Sequence, residues 1–298
     1  MTAPAFIAVD WGTTSMRAAL VSREGDALAR APAGEGILKA AERGFEATLF
    51  DAVAALAAPA EAPILLAGMI GSRNGWVEVP YAVCPAGPEA LVAGAARREV
   101  RGRTLVFIPG LSCEHDGRPD VMRGEETQIF GACVGPGAEI VLPGTHSKWA
   151  SLSGGRIAGF RTYMTGELYA ALRGHTILGA LARGEAADEA AFARGVETGA
   201  GEAALTHALF SARTLALFGR LAAEAVPSYL SGLLIGAELA DARRRIAPGA
   251  RVLVVGEARL TARYVAAGRL LGLDLAPGPE DAAFRGLARL HAAMGEIA

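Results

Sequence analysis

Asp10 is followed directly by Trp11-Gly12-Thr13-Thr14-Ser15, and a second short string, Gly144-Thr145-His146-Ser147, stands much further along the chain. A Gly-Thr-rich turn leaves backbone N–H groups and short hydroxyls unobstructed by Cβ atoms, which suits it to wrap phosphate oxygens. Two such turns facing each other make a phosphate clamp. Asp10 ends the apolar run 6–9, where a carboxylate is placed to hold a hydrated Mg²⁺ through water, because magnesium keeps much of its hydration shell and prefers one or two carboxylates. Arg73 and Asn74 lie in a Gly-flanked loop after another apolar run. There the Arg fork suits a carboxylate and the Asn suits a hydroxyl, with Arg17, Arg123 and Arg161 competing for the same task.

Other strings of chemical interest carry less. The segment Gly144-Thr145-His146-Ser147-Lys148 lacks the GxxxxGK[ST] spacing of a P-loop, and no GxSxG nucleophile elbow occurs. Cys113-Glu114-His115-Asp116 is rich in metal-ligand types, but contiguous residues seldom converge on one ion, so no zinc site is expected. His175, His207 and His291 stand alone and read as packed or surface histidines.

The elements that must position these groups follow from apolar patterning. Residues 6–9 and 16–21 read as strands joined by the Gly12-Thr13-Thr14 turn, with a further hairpin at Glu24-Gly25-Asp26. Phe45, Leu49, Val53 and Leu56 fall on one helical face. Residues 64–67 and 105–108 read as buried strands, and 125–133 as a helix. After Gly135-Pro136-Gly137 the pattern restarts with strands at 139–142, 148–152 and 157–160. GTTSMRAAL from Gly12 and GTHSKWASL from Gly144 share Gly, Thr, Ser, Ala and Leu in the same strand–turn–strand context, the mark of an internal duplication. Helical text runs through 186–225, 228–245, 258–272 and 280–294, interrupted by strands at 251–255 and 273–275. The expectation is two α/β lobes of related topology.

Composition narrows the class. The 298 residues are 52% hydrophobic and 20% charged, which describes a globular chain and excludes a disordered one. Twenty-nine Lys and Arg stand against 31 Asp and Glu, so no broad basic field exists and nucleic acid is not expected as a partner. Three cysteines, Cys84, Cys113 and Cys133, cannot all pair within the chain and show no CxxC spacing, which fits a reducing cytoplasm. Apolar stretches are broken too early to span a membrane, and Asp10 stands where a signal peptide needs its apolar core. The aliphatic helices from Ala186 onward offer a homodimer face.

Asp10 to Ser15, followed by Arg17, resembles the first phosphate motif of the sugar kinase, Hsp70 and actin superfamily, and the Gly144 turn resembles its second. Val252-Leu253-Val254-Val255-Gly256-Glu257 is similar to the adenosine motif, with Gly256 and Glu257 standing where the superfamily carries paired glycine. More narrowly, the chain resembles the 2-dehydro-3-deoxygalactonokinase family over essentially its whole length. The segments that carry this are Gly68-Met69-Ile70-Gly71-Ser72-Arg73-Asn74-Gly75-Trp76, Met122-Arg123-Gly124-Glu125-Glu126-Thr127-Gln128, Leu142-Pro143-Gly144-Thr145-His146-Ser147-Lys148-Trp149 and Phe160-Arg161-Thr162-Tyr163-Met164-Thr165-Gly166-Glu167-Leu168.

The resemblance implies a two-lobed ribonuclease H-like (actin-like ATPase) α/β fold with duplicated βββαβα lobes. Residues 1–135 would carry the first phosphate hairpin and the sugar-acid site, and 136–298 the second hairpin and the adenosine site, with the last helix packing back on the first lobe. It implies ATP and Mg²⁺ as cofactors, ATP lying between the lobes. The implied substrate is a small sugar acid, phosphorylated on the terminal 6-hydroxyl of 2-dehydro-3-deoxy-D-galactonate in galactonate catabolism. Glu125 stands where related carbohydrate kinases carry a catalytic Asp in a Gly-Asp-Gln context, and the change to Glu adds a methylene of reach. Adjacent Glu126 is the alternative base, and one carboxylate beside another has a raised pKa, which suits that role. Two rival readings stay open: a kinase for the gluconate-type epimer, and a non-transferring nucleotide sensor akin to actin or Hsp70. The Arg73 loop and the Glu125-Glu126 pair argue against the sensor.

Overall fold

The structure, a computed structural model, describes residues 4–132, 135, 137–184 and 187–297. Cys133, expected to end a helix, and Ala186, expected to begin one, lie outside the described residues. The chain divides into two compact units, one formed by residues up to 138 with 150–160 and everything from 279, the other by 139–149 and 161–278.

The chain begins with β1 (Pro4–Trp11), β2 (Ser15–Ser22), β3 (Ala27–Arg30) and β4 (Gly34–Glu35), then α1 (Ile37–Arg43), α2 (Phe45–Ala54) and β5 (Ile64–Gly68). There follow β6 (Ala82–Val83), α3 (Pro88–Gly94), β7 (Ala96–Val100), β8 (Arg103–Phe107), β9 (Leu111–His115), β10 (Arg118–Met122) and α4 (Glu125–Ala132). The first sheet has the order β3-β2-β1-β5-β8-β7, with β4 paired to β2. β1 pairs antiparallel with β2 but parallel with β5, which itself pairs parallel with β8. A strand in this position is covered on both faces, so Phe6, Ile7, Ala8 and Val9 form an unbroken apolar run, all buried.

The second half restarts with β11 (Glu139–Leu142), β12 (Ser147–Ser153) and β13 (Arg156–Tyr163), followed by α5 (Thr165–His175), α6 (Glu189–Gly201), α7 (Leu205–Leu217) and α8 (Val226–Arg243). It ends with β14 (Arg251–Val254), α9 (Ala258–Leu270), β15 (Asp274–Pro277) and α10 (Ala282–Ile297). Its sheet runs β13-β12-β11-β14-β15, with β11, β14 and β15 parallel. Without β7 the first sheet has the same order of third, second, first, fourth and fifth strand, so the duplication read from the two Gly-Thr strings is a duplication of topology.

Helices form where the apolar period is strong, but the helical run expected through 186–225 is broken into α6 and α7, with 202–204 and 218–225 outside either. Leu49 and Val53 of α2 are buried, and α8 is buried nearly all round, as a helix inside a core must be. Elements without such a pattern escape the sequence reading. α5 buries no residue completely, and only Tyr169 and Leu172 pack, partly buried, on the core, a stripe too short to reveal it. The β9–β10 hairpin is polar, and its signal is the turn Asp116-Gly117, both at positive φ (52° and 72°), a pairing that suits a tight hairpin turn.

Candidate functional site

In the first unit, β1 delivers Asp10 to the end of its strand directly opposite Arg17 of β2, and the two side chains form an ion pair. Asp10 is mostly shielded while Arg17 is half-exposed. The turn between them closes with Gly12 N–H donating to Ser15 O at 2.9 Å and leaves Thr13, Thr14 and Ser15 exposed. From behind, the start of α1 packs on the turn: Ile37 N–H donates to Gly12 O at 3.1 Å. The oxygens offered here are all hard donors, one carboxylate and three small hydroxyls. Among the described residues no group of three His, Cys, Asp or Glu gathers to hold an ion directly. This donor set fits Mg²⁺ held by one carboxylate and its own water, and does not fit zinc.

Beside Asp10 lies the start of α4. Gly124 adopts φ +109°, a conformation that L side chains rarely take, and a Cβ there would stand 3.1 Å from Gly68 Cα and 3.9 Å from Asp10 Oδ1. The glycine thus lets the helix begin against the ends of β1 and β5. Glu125 is partly exposed, and its Oε2 accepts the Arg123 backbone N–H at 2.9 Å. Glu126 is fully buried: Oε2 accepts the Gly124 N–H at 2.7 Å, while Oε1 has no hydrogen-bond partner among the described residues. Burial, and then the neighbouring Glu125, push the Glu126 carboxyl up to about 8. The two glutamates therefore differ in kind, one reachable by a ligand and one enclosed and protonated at neutral pH.

The loop after β5 holds Arg73 and Asn74 at its exposed tip. Among the described residues Arg73 makes only a loose 3.5 Å pair with Glu78, its side chain 87% exposed, so it can reach an anion. Arg123 serves the same loop from below. Its Nη2 donates to Val79 O at 2.7 Å, its guanidinium sits 4.3 Å from the centre of the Tyr81 ring, and Nε and Nη1 are buried without partners among the described residues. Nothing in the sequence around Arg123 signals Val79 or Tyr81, which lie over 40 positions away.

In the second unit, the 144–147 turn joins β11 to β12. Thr145 and His146 are exposed, Ser147 is fully buried, and His146 pairs with Glu167 of α5. Gly256 is its neighbour, since a Cβ there would lie 3.3 Å from Pro143 O. Glu257 caps α9, its carboxylate accepting the N–H groups of Arg259 at 2.9 Å and Leu260 at 3.0 Å. A cavity of about 300 Å³ opens at this helix start, lined among others by Tyr169, Arg173, Pro227, Glu257, Arg259 and Arg263. The sequence reading missed Arg259 and Arg263, whose i,i+4 spacing places both on one face of α9. Arg161 lies on β13 in this same unit, apart from the other arginine candidates in sequence and unit.

The chain is similar to known proteins along nearly its full length. The family model described as 2-keto-3-deoxy-galactonokinase matches residues 10–290. A protein of Rhizobium meliloti named as a 2-dehydro-3-deoxygalactonokinase is 40% identical over 291 residues, 95% of either chain. The Escherichia coli protein of that name is 37% identical, covering 94% of each. A crystal structure from Sinorhizobium meliloti described as a 2-dehydro-3-deoxygalactonokinase superposes with a TM-score of 0.87 at 38% identity, covering 98% of this chain and 99% of the other. At 10% identity and a TM-score of 0.54, the (R)-2-hydroxyglutaryl-CoA dehydratase component A of Acidaminococcus fermentans shares the fold alone. That fold is the duplicated ribonuclease H-like α/β fold of the actin-like ATPases.

Proposed function

The chain belongs to the 2-keto-3-deoxy-galactonokinase family, and on that premise we propose how its own residues carry out the reaction. It is a phosphotransferase with an alcohol acceptor, moving the γ-phosphoryl group of ATP to the 6-hydroxyl of 2-dehydro-3-deoxy-D-galactonate. Glu125 takes the hydroxyl proton as that oxygen attacks phosphorus and ADP departs. Its partly exposed carboxylate at a helix start can meet a substrate, whereas Glu126, enclosed behind it, keeps its proton and fixes the Gly124 turn. Asp10 would hold Mg²⁺, exchanging its pairing with Arg17 for a hydrated ion. When bound, that ion neutralises charge on the phosphoryl oxygens.

The exposed N–H and hydroxyl groups of the 12–15 turn take phosphate oxygens, as do those of the 144–147 turn. Adenosine occupies the cavity beside Gly256 and Glu257, where Arg259 and Arg263 line the wall. Arg73 and Asn74, at a loop tip braced by Arg123, grip the substrate carboxylate and a hydroxyl. ATP as the phosphoryl donor places the reaction in the cytoplasm. Among the described residues no helix is long and apolar enough to cross a membrane. A homodimer would use α7, which exposes Phe210 and Leu217.

The observation that carries the site assignment is the placement of the Gly124-Glu125-Glu126 segment against the end of β1, with Gly124 beside Asp10. The test is ADP release from Mg-ATP with 2-keto-3-deoxygalactonate and its gluconate epimer as acceptors. Acceptor-dependent release with the galactonate type preferred is the expected result. Nucleotide binding with no acceptor-dependent release from either sugar acid would remove the substrate assignment.

A further inference from the structure

Behind the 144–147 turn lies a buried polar cluster centred on Glu238. Glu238 of α8 is 3% exposed in an otherwise apolar helix face. Its Oε1 accepts Trp149 Nε1–H at 2.7 Å. Its Oε2 accepts the Tyr264 hydroxyl at 2.8 Å and the Thr165 hydroxyl. Tyr264 Oη lies 2.8 Å from Ser147 Oγ, so a chain of hydroxyls runs from the turn to the carboxyl.

The partners come from the elements that shape the turn. Ser147 and Trp149 belong to β12, which leaves it, and Tyr264 belongs to α9. Thr165 opens α5, whose Glu167 backbone N–H donates to Thr145 O at 2.9 Å. Burying a carboxyl costs free energy that only full hydrogen bonding offsets, and a leucine here would fill the space without that cost. Such a group gives geometry in return, because three donors with fixed directions must meet at two oxygens.

We propose that Glu238 is a positioning residue for the phosphate-binding turn, fixing the strand that leaves it and the helix beneath it in one register. The inference rests on the reading of the 144–147 turn as a phosphate site. ATP phosphates bound by backbone N–H groups need those groups aimed, and displacement of about 1 Å is enough to cost up to a hundredfold in rate. Loosening the cluster therefore acts on ATP and spares the sugar acid, which in this reading is gripped by Arg73 and Asn74 of the other unit.

The experiment uses Tyr264→Phe, which removes one buried hydroxyl and keeps the ring, and Glu238→Gln, which keeps the shape. Steady-state kinetics with each substrate varied, and thermal unfolding, are measured for both, together with Thr145→Asp, which places a negative charge on the exposed turn. The expected result is a rise of about tenfold in KM for ATP in Tyr264→Phe and Glu238→Gln, with KM for the sugar acid within twofold. Thr145→Asp should raise KM for ATP at least as much. If the two cluster variants unfold like the parent and keep their KM for ATP while Thr145→Asp raises it, the positioning role is overturned alone. If Thr145→Asp also leaves it unchanged, the turn is not a phosphate site and the premise falls with it.

Discussion

At the scale of residues, the two adjacent glutamates show how one helical step separates two roles. Glu125 at the first position of α4 stays partly exposed, while Glu126 turns inward, loses its water and is left with an unpartnered oxygen. A general base contributes about 10²–10⁴ in rate, so Glu125→Gln should lose turnover by that factor while calorimetry finds ATP binding retained. Unchanged turnover would move the base elsewhere. Glu126 makes a different prediction. Its carboxyl titrates near 8 in the fold against the ordinary 4.5, so between those values the native state holds a proton that the unfolded chain releases. The stability this gives is complete below about pH 4.5 and is lost as pH rises through 8. Glu126→Gln carries no such proton, so its melting temperature should fall less than the parent's between pH 5 and pH 9. Parallel pH profiles would show that Glu126 ionises normally.

At the scale of elements, the α6–α8 crossing is set by four glycines. A Cβ on Gly195 or Gly199 of α6 would run into the carbonyl oxygens of Tyr229 or Leu233 on α8, and one on Gly232 or Gly236 into those of Phe192 or Val196. The two backbones therefore touch, and Gly199→Ala must push them apart. Overpacking of this kind costs about 1–3 kcal/mol, which should appear as a lower melting temperature; an unchanged one would mean that the helices separate freely. These glycine pairs at four-residue spacing stand in plain view in the sequence, yet without the partner helix they cannot be told from ordinary glycines. The strands β1, β5, β11 and β14 were legible because double-sided burial writes an unbroken apolar run. α5 was not, packing only Tyr169 and Leu172 partly buried on the core, and neither was the polar β9–β10 hairpin. The same limit applies to the site. Asp10 and the two turns could be read from residue type and neighbours and Glu125 through the family resemblance, whereas the bracing of Arg123 and the Glu238 cluster depend on partners distant in sequence. Trp149 and Glu238, for example, are separated by 89 positions.

At the scale of the whole molecule, the chain does not complete its units in the order in which it is written. The first unit takes its last segment, from residue 279, only after the whole of the second has been traced. That segment carries α10, which packs on α4, α3 and β1, burying Phe284, Leu287 and Leu290 and stacking His291 on Phe6 with ring centres 4.8 Å apart. Contacts so distant in sequence carry a loop-closure cost and form late, so the first sheet cannot finish its core during synthesis until residues 282–297 have been made. Burial of three large apolar side chains contributes about 1.5–3 kcal/mol each, comparable with the 5–15 kcal/mol by which a domain is stable at all. A chain truncated after Pro277 would also uncover Phe6 of β1, fully buried in the whole protein and stacked on His291 of α10. It should therefore lose cooperative thermal unfolding and collect in the insoluble fraction. A soluble truncated chain that melts cooperatively at the parent's temperature would show that the first unit closes its core without its last helix.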